Sequence, residues 1–238
     1  MRDSLKVDLF LEGPLGLWVL DYCEDEHIGG VYSHSDGLVK RARARSLAAA
    51  TFKDELPEPI GDILVNVHAT RIFPGDYLDR YKKAYNLHPG YLPWGKGTNS
   101  AFWAMWNDEP AGATLHEMDE NIDTGPVVAR TQIEYDSESI LGELQQAIEA
   151  AERALFADYW EAIRTGTAAG ANDLTLDVES GSTYTTSDYS SLIRQLRENW
   201  RDLSSEKLVK LLRCVHSFPF YLDSRLVTLS IQSQPRKR

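Results

Sequence analysis

The chain has 238 residues, which suits one large domain or a domain with a smaller appendage. Hydrophobic residues make up 42% and charged residues 26%, as in a globular protein with a buried core. A net charge of −11 disfavours a general nucleic-acid binder. Two cysteines exclude a disulfide framework, and no apolar run is long enough to cross a membrane. We therefore expect a cytoplasmic protein that binds neither nucleic acid nor membrane.

The first half of the chain alternates strand-like and helix-like stretches. Apolar patterns predict strands over residues 6–11, 27–34, 61–73 and 84–89. Helical spacing and composition predict helices over residues 15–25, 38–52 and 77–83. This alternation is typical of a mostly parallel α/β sheet with helices on both faces, and such sheets bind ligands at the carboxyl ends of their strands.

The second half begins with a loop, followed by a short helix over 100–108 and strands over 111–119 and 125–135. Its longest helix is predicted to begin after Ser137 as N-cap and to end before Gly166. The apolar residues on one face of this helix lie three or four apart: Ile140, Leu144, Ile148, Ala151, Leu155, Tyr159 and Ile163.

Residues 165–173 have the composition of a linker, TGTAAGAND. We therefore divide the chain into a core, 1–168, and a small C-terminal subdomain, 169–238, of helices and a β-hairpin. The predicted elements of the subdomain are a turn or strand near Tyr184, helices over 189–200 and 205–215, and a strand over 225–231 after a Phe-Pro-Phe turn.

Three polar residues are candidates for catalysis. Asn86 and His88 lie two apart on a strand, so their side chains leave the same face, and Pro89 keeps His88 extended. Asp123 lies in a turn bounded by Gly and Pro. Each residue alone is more often structural, but together they suit addition to a carbonyl. An amide stabilises an oxyanion, an imidazole exchanges protons, and a carboxylate orients the imidazole.

The motifs NLHPGYLP at 86–93, GATLHEMD at 112–119 and DTGP at 123–126, with a Gly-bearing loop between the first two, resemble the folate-dependent formyltransferase catalytic domain. The resemblance implies a Rossmann-like core and 10-formyltetrahydrofolate as formyl donor. It also implies that Asn86, His88 and Asp123 form the catalytic set. In this mechanism Asn86 and protonated His88 stabilise the tetrahedral oxyanion, while Asp123 holds His88 and helps to remove the amine proton.

The same resemblance implies a folate site. RIFP, from Arg71 to Pro74, matches a strand end whose backbone binds the pterin, so Arg71, Ile72 and Phe73 are cofactor-binding candidates. Asp119 joins them from the turn over 119–123. Leu92-Pro93 matches a position that is often cis in this family, and His116 is either a family histidine near the site or a buried strand residue.

No metal is expected. The segment DENIDTG resembles the opening of a calcium loop, but Thr124 takes the place of the required Gly and Arg130 that of the bidentate Glu.

The acceptor is predicted from resemblance to the sugar N-formyltransferase branch, whose core is followed by a short helical segment and a terminal hairpin used for dimerisation. This implies a homodimer formed through the last strand, and a nucleotide-linked amino sugar as substrate, with dTDP-4-amino-4,6-dideoxyglucose as the best match. The loop WGKGTNSAFWAMW resembles the acceptor loop, with Lys96 meeting a pyrophosphate. The substrate-binding candidates are Tyr91, Trp94, Lys96, Asn99 and Trp103.

Two alternatives stay open. One is transfer to glycinamide ribonucleotide or another small amine, although the ribonucleotide enzyme carries a Gly/Ser-rich phosphate loop after its first strand. Here Glu12 adds negative charge and Pro14 lacks an N–H, which disfavours a phosphate site. The other is a catalytically idle α/β binding module, which the presence of all three catalytic residue types disfavours.

Overall fold

The computed structural model describes residues 5–53, 55–170, 180–215, 218–222 and 225–229. The N-terminal part contains, in order, β1 (Val7–Leu11), α1 (Gly13–Tyr22), a 3-10 helix (Asp25–His27), β2 (Ile28–Ser33), α2 (Asp36–Ala44) and β3 (Ala49–Thr51). The central part contains β4 (Ile63–Val67), α3 (Gly75–Leu78), β5 (Lys83–His88), β6 (Lys96–Gly97), α4 (Ser100–Asn107), β7 (Ala111–Glu117), β8 (Val127–Ile133) and α5 (Leu141–Arg164).

The C-terminal part contains β9 (Thr183–Tyr184), α6 (Thr186–Glu198), a 3-10 helix (Trp200–Asp202), α7 (Ser205–Cys214), β10 (Phe218–Leu222) and β11 (Arg225–Leu229). None of the helices in the described part of the chain has the length and apolar composition that crossing a bilayer requires.

Seven strands form one sheet in the order β3-β2-β1-β4-β5-β7-β8. The first five strands are parallel, and β7 and β8 are antiparallel to their neighbours. The predicted mostly parallel α/β fold is therefore confirmed. From β1 the chain first builds outward to β3 and then returns to β4 on the other side of β1, so the topological switch point lies between β1 and β4.

Both faces of the sheet are covered, because successive residues of a strand point to opposite sides. Leu9 of β1 packs in the core cluster that includes α1 and α5, while Phe10 packs in the cluster that includes Tyr32 and Tyr77. All residues of β1 and β4 are buried, which explains why both strands are nearly continuous apolar runs.

Three predictions in the first half were wrong in extent. The helix over 38–52 ends at Ala44, because Ser46 is left-handed (φ 63°), and β3 then pairs with the edge of β2. Pairing at the sheet edge overrides the helix propensity of alanine here. The strand over 61–73 ends at Val67, and the helix over 77–83 is the short α3.

The long helix α5 is confirmed, but its start was wrong. Asp136 accepts hydrogen bonds from the backbone N–H groups of Glu138 and Ser139 in a separate turn, and the helix begins at Leu141. Gly166 is left-handed (φ 68°) just beyond the end of the helix, as predicted. The predicted apolar face is buried apart from half-buried Ile140 and Tyr159. The buried residues that the prediction omitted are Leu141, Glu152, Phe156 and Trp160.

The C-terminal helices are confirmed, although α6 begins earlier than predicted, at Thr186. The predicted Phe-Pro-Phe turn was wrong, because these residues lie in β10, which pairs with β11 in an antiparallel hairpin. Residues 171–173 of the predicted linker and 230–231 of the predicted last strand lie outside the described residues. The division at residue 168 stays a prediction.

Candidate active site

The candidate site is built on one rung across three neighbouring strands. Asn66 of β4 lies beside Asn86 of β5, and Asn86 lies opposite His116 of β7. Side chains in register on adjacent strands lie within hydrogen-bonding reach. All three side chains are buried. Burying a polar group costs desolvation free energy that an apolar side chain at the same position would not cost. The rung therefore places a row of polar groups near the carboxyl ends of the parallel strands.

The Asn86 side chain connects this row to Asp123. Its Nδ2 donates to Asp123 Oδ1 (3.1 Å) and lies 3.0 Å from His116 Nε2, while its Oδ1 accepts from Asn66 Nδ2 (2.9 Å). His116 Nδ1 lies 2.7 Å from the carbonyl oxygen of Glu117, to which its N–H donates, and this bond orients the ring with Nε2 towards Asn86. The sequence-predicted pair Asn86 and Asp123 is thus brought into direct contact.

His88 lies on the same side of the strand as Asn86, at the end of β5. Its Nε2 lies 2.9 Å from the Gly95 carbonyl oxygen, and its Nδ1 lies 3.5 Å from Asp123 Oδ2. Burial lowers the pKa of His88, and the charge of Asp123 offsets part of this shift. A lowered pKa favours neutral His88 at neutral pH, in contrast to the protonated ring expected from sequence. Neutral His88 donates Nε2–H to Gly95 and leaves Nδ1 as a proton acceptor beside Asp123.

Asp123 is held as a carboxylate. Its backbone is left-handed (φ 53°), and its Oδ2 accepts from the Gly97 N–H at 2.7 Å. Burial alone would raise the pKa of Asp123, but His88, His116 and the Gly97 N–H together hold that pKa well below its usual range. Asp123 is therefore ionised at neutral pH and favours a positive charge on a neighbouring imidazole.

Asn86, His88 and Asp123 line a cleft of about 720 Å³, which is large enough for a small-molecule site. One wall of this cleft, here called the donor wall, consists of residues 69–73 and 118–122. Two apolar side chains of the donor wall are exposed, Ile72 (64%) and Ile122 (45%). An exposed apolar pair beside a row of buried polar groups suits a flat, partly apolar ring.

The four predicted cofactor-binding residues all lie in the donor wall, although Phe73 is buried. Asp119 accepts from the backbone N–H of Asn121 and from the Thr124 hydroxyl, so its carboxylate also shapes the turn that carries Asp123. The peptide between Leu92 and Pro93 is cis, as predicted.

A second wall of the cleft, here called the acceptor wall, consists of residues 97–100 and 184–186. Its two segments are joined by short parallel pairing of β6 with β9. Gly97 is left-handed (φ 87°), and a Cβ atom there would lie 2.2 Å from the Tyr184 carbonyl oxygen. The Tyr184 hydroxyl donates to Glu109 Oε1 (2.7 Å), and Thr185 caps α6 through a reciprocal bond with Asp188. The C-terminal segment therefore completes the cleft.

Of the predicted substrate-binding residues, the structure places only Asn99 in the cleft wall. Trp103 is buried in α4 and stacks on Tyr184 with a centroid distance of 4.2 Å. The Tyr91 ring lies under the Arg130 guanidinium (4.3 Å), while Trp94 lines a separate small pocket and Lys96 is buried in β6. Contact of these other four with substrate stays a prediction.

Sequence reasoning missed several cleft residues. Asn66 and His68 break the apolar run of 61–73, and that interruption was the available signal. Tyr184, Thr185 and Thr186 gave no local signal, because only the fold brings them to the cleft. Within the described ranges, no three His, Cys, Asp or Glu side chains group together in a way that would hold a metal ion.

Comparison with known proteins identifies the family. Residues 19–159, more than half of the chain, match the formyl transferase family. The chain belongs to this family. Asn86, His88 and Asp123 all lie inside the matched segment, whereas residues 184–186 of the acceptor wall lie outside it.

Two curated relatives are sugar formyltransferases. The dTDP-4-amino-4,6-dideoxyglucose formyltransferase of Mycobacterium tuberculosis is 28% identical over 105 residues, 44% of this chain and 44% of that protein. The GDP-perosamine N-formyltransferase of Brucella melitensis is 39% identical over 77 residues, 32% of this chain and 30% of that protein. The matches span less than half the length of either relative.

A solved structure has the same fold. The formyltransferase from Anoxybacillus kamchatkensis, in complex with UDP-4,6-dideoxy-4-formamido-L-AltNAc and tetrahydrofolate, aligns with a TM-score of 0.61. The alignment covers 86% of this chain and 98% of that one at 24% identity.

Proposed function

We propose that this protein is an N-formyltransferase that moves a formyl group from 10-formyltetrahydrofolate to the amine of a nucleotide-linked amino sugar. The observation that carries this proposal is the contact of Asn86, His88 and Asp123 at one end of an open cleft. An amide, a neutral imidazole and a carboxylate in this arrangement suit acyl transfer to an amine. Membership of the formyl transferase family supports formyl as the transferred group.

The proton balance of the reaction suits neutral His88. The amine nitrogen attacks the formyl carbon, the bond from that carbon to folate N10 breaks, and one proton moves from the amine to N10. His88 Nδ1 accepts this proton and later returns it, while ionised Asp123 stabilises the imidazolium in between. Asn86 Nδ2 contacts both Asp123 and His116 in the structure. To donate to the developing oxyanion, Nδ2 gives up one of these two partners and bonds to that oxygen instead.

The donor wall supports folate as the donor. Ile72 and Ile122 present exposed apolar surface, and the backbone of residues 69–73 runs along the cleft beyond the end of β4. The relative from Anoxybacillus kamchatkensis, whose fold this chain shares, was solved with tetrahydrofolate. The four cofactor-binding candidates Arg71, Ile72, Phe73 and Asp119 are part of this proposal.

The acceptor wall supports a polar acceptor. Asn99, Tyr184, Thr185 and Thr186 line the cleft in this wall, and all four are polar residues. Such residues suit the hydroxyl groups of a sugar. Names of the relatives favour a nucleotide-linked amino sugar, and dTDP-4-amino-4,6-dideoxyglucose is our first choice.

Glycinamide ribonucleotide is the second acceptor to test, and one observation argues against it. Glu12, in the loop after β1, accepts hydrogen bonds from the Ser33 hydroxyl (3.0 Å) and the His34 backbone N–H. The Glu12 carboxylate is therefore held at this loop by donors from the end of β2, and its charge would repel a phosphate there.

A cytoplasmic homodimer belongs to the same proposal. The antiparallel hairpin of β10 and β11 supports it, because a two-stranded ribbon has edges that can pair with a second copy. Sedimentation equilibrium at micromolar concentration tests it, with a dimeric mass as the expected result and a monomeric mass as the contrary one.

The test of function is a direct assay. Purified protein is mixed with 10-formyltetrahydrofolate and, separately, dTDP-, UDP- and GDP-linked amino sugars and glycinamide ribonucleotide, and the formamide product is measured by mass spectrometry. We expect a product with at least one nucleotide-linked amino sugar. Formylation of glycinamide ribonucleotide alone would replace our acceptor, and absence of any product with a folded protein would favour an idle binding module.

A further inference from the structure

A carboxylate is buried in the apolar face of α5. Glu152 is 1% exposed and lies in the helix face that also contains Ile148, Leu155 and Phe156. An ionisable side chain at such a position is unfavourable unless it is paired, and an apolar residue would pack there without that penalty. Glu152 therefore needs a partner that forms a hydrogen bond with its carboxylate.

That partner is His68, which lines the cleft. His68 Nε2 lies 2.7 Å from Glu152 Oε1, and the His68 side chain is 30% exposed. The backbone of His68 is left-handed (φ 61°), a conformation that is uncommon for a residue with a Cβ atom. A strained backbone and a buried carboxylate thus fix one imidazole at the edge of the cleft, and strained residues of this kind cluster at functional sites.

His68 also lies at the switch point of the sheet. It directly follows β4 and forms an isolated bridge with Leu11 at the end of β1. In doubly wound α/β sheets, ligands bind outside the strand ends at this point. The charge of His68 contributes to lowering the pKa of His88, so the two rings are electrostatic neighbours.

The pairing favours a protonated ring. Burial lowers the pKa of His68, but the hydrogen bond and the charge of Glu152 raise it overall. Glu149, one helical turn before Glu152 and paired with Arg153, acts in the same direction. The imidazolium carries a hydrogen on Nδ1 as well, so the ring can donate a second, charge-assisted hydrogen bond.

We propose that His68 is a further binding residue of the cleft, which donates to an anionic oxygen of a bound co-substrate, and that Glu152 is the positioning residue that holds it. This inference rests on the proposed formyl transfer. Two sources supply such an oxygen, the phosphates of the acceptor and the carboxylates of folate. A purely structural pair is the contrary interpretation, and it predicts that loss of the charge changes stability without changing either KM.

The test compares three single variants, and the double variant Glu152→Gln/His68→Asn, with the wild-type protein. Glu152→Gln keeps the shape of the side chain and removes its charge, and His68→Asn removes the imidazole. Glu143→Gln is the control, because it removes a charge from an exposed position of the same helix that is not among the groups acting on His68. We measure kcat and the KM for each co-substrate. Calorimetry with dTDP and with 5-formyltetrahydrofolate provides a readout that does not depend on turnover.

We expect Glu152→Gln and His68→Asn to raise the KM for one co-substrate about tenfold, with kcat changed less than KM, and the double variant to be no worse than His68→Asn. Glu143→Gln should stay within about twofold of wild type. A weaker dTDP affinity assigns the contact to phosphate, and a weaker 5-formyltetrahydrofolate affinity assigns it to a folate carboxylate.

Unchanged KM values and affinities in folded His68→Asn would overturn this inference and leave the proposed function intact. If Glu152→Gln does not fold, His68→Asn alone decides, because its side chain is partly exposed. A wild-type protein that binds neither probe and formylates no acceptor would overturn the proposed function itself, and this inference with it.

Discussion

The two walls of the cleft differ in origin and in chemistry. The donor wall, residues 69–73 and 118–122, lies inside the segment that matches the formyl transferase family and presents exposed isoleucines. The acceptor wall combines residues 97–100 with Tyr184, Thr185 and Thr186, which follow the matched segment, and presents polar side chains. If the two walls bind different co-substrates as proposed, part of the acceptor preference depends on residues outside the segment that matches the family.

If the two walls bind two co-substrates, His88 acts on both of them, and its loss should give the largest effect. We expect His88→Asn to lower kcat by about 10²–10⁴ and to change either KM little. In the wild type, kcat/KM should fall as the pH drops through the pKa of His88, which burial lowers from 6.5, because only the neutral ring accepts a proton. A pH profile of kcat/KM checks this, and an unchanged acid limb in an active variant assigns the ionisation to another group.

Asn86 gives the second largest effect. We expect Asn86→Ala to lower kcat by about 10²–10³, because the amide donor for the oxyanion is lost. The control is Asn199→Ala, in which the amide at the end of α6 bonds only to its own helix within the described residues. Turnover is compared after circular dichroism establishes that both variants are folded. Near-wild-type turnover of Asn86→Ala would remove Asn86 from the mechanism.

A substitution in the acceptor wall tests whether the two walls bind different co-substrates. We expect Tyr184→Ala to raise the KM for the acceptor about tenfold and to leave the KM for the donor within about twofold. The Tyr184 side chain anchors the acceptor wall by stacking on Trp103 and by hydrogen bonds with Asn107 and Glu109, and this anchor is lost. Tyr189→Ala is the control, because Tyr189 packs edge-on against Phe102 outside the cleft wall. Equal increases in both KM values would mean that the walls are not separate.

The donor wall gives the smallest effect. We expect Ile72→Ser to raise the KM for the folate donor about fivefold, which corresponds to about 1 kcal/mol of apolar contact. The melting temperature should not change, because Ile72 is 64% exposed. Ile60→Ser is a matched control, since Ile60 is 57% exposed but does not line the cleft. An acceptor KM that rises instead would exchange the assignments of the two walls.

Local patterns in the sequence predicted the strand that carries Asn86 and His88 well. The spacing of two between Asn86 and His88 places both side chains on one face of β5 wherever the strand lies. Asp123 needed the resemblance to a family, because spacing alone does not tell which turn reaches the strand ends. Asn66 was missed because its importance arises from register with Asn86 on a neighbouring strand, which local sequence does not reveal.

In the acceptor loop, the local sequence alone did not predict where the side chains lie. Trp103 and Lys96 look like ligand contacts in a Gly-rich loop, yet α4 and β6 turn both side chains into buried positions. Tyr184 is 81 residues beyond Trp103 in the numbering, and only tertiary packing stacks the two rings. In the same way, Ala49–Thr51 form β3 because the edge of β2 is available to them.

The close approach of Gly97 to Tyr184 has a consequence for chimaeras. A graft that replaces residues 180–215 with the equivalent stretch of a relative, in order to transfer its sugar preference, must retain glycine at position 97. Any larger residue there would push the incoming backbone away, since a Cβ atom meets the Tyr184 carbonyl oxygen at 2.2 Å. The grafted stretch is therefore compatible only with a recipient loop that has glycine at this position.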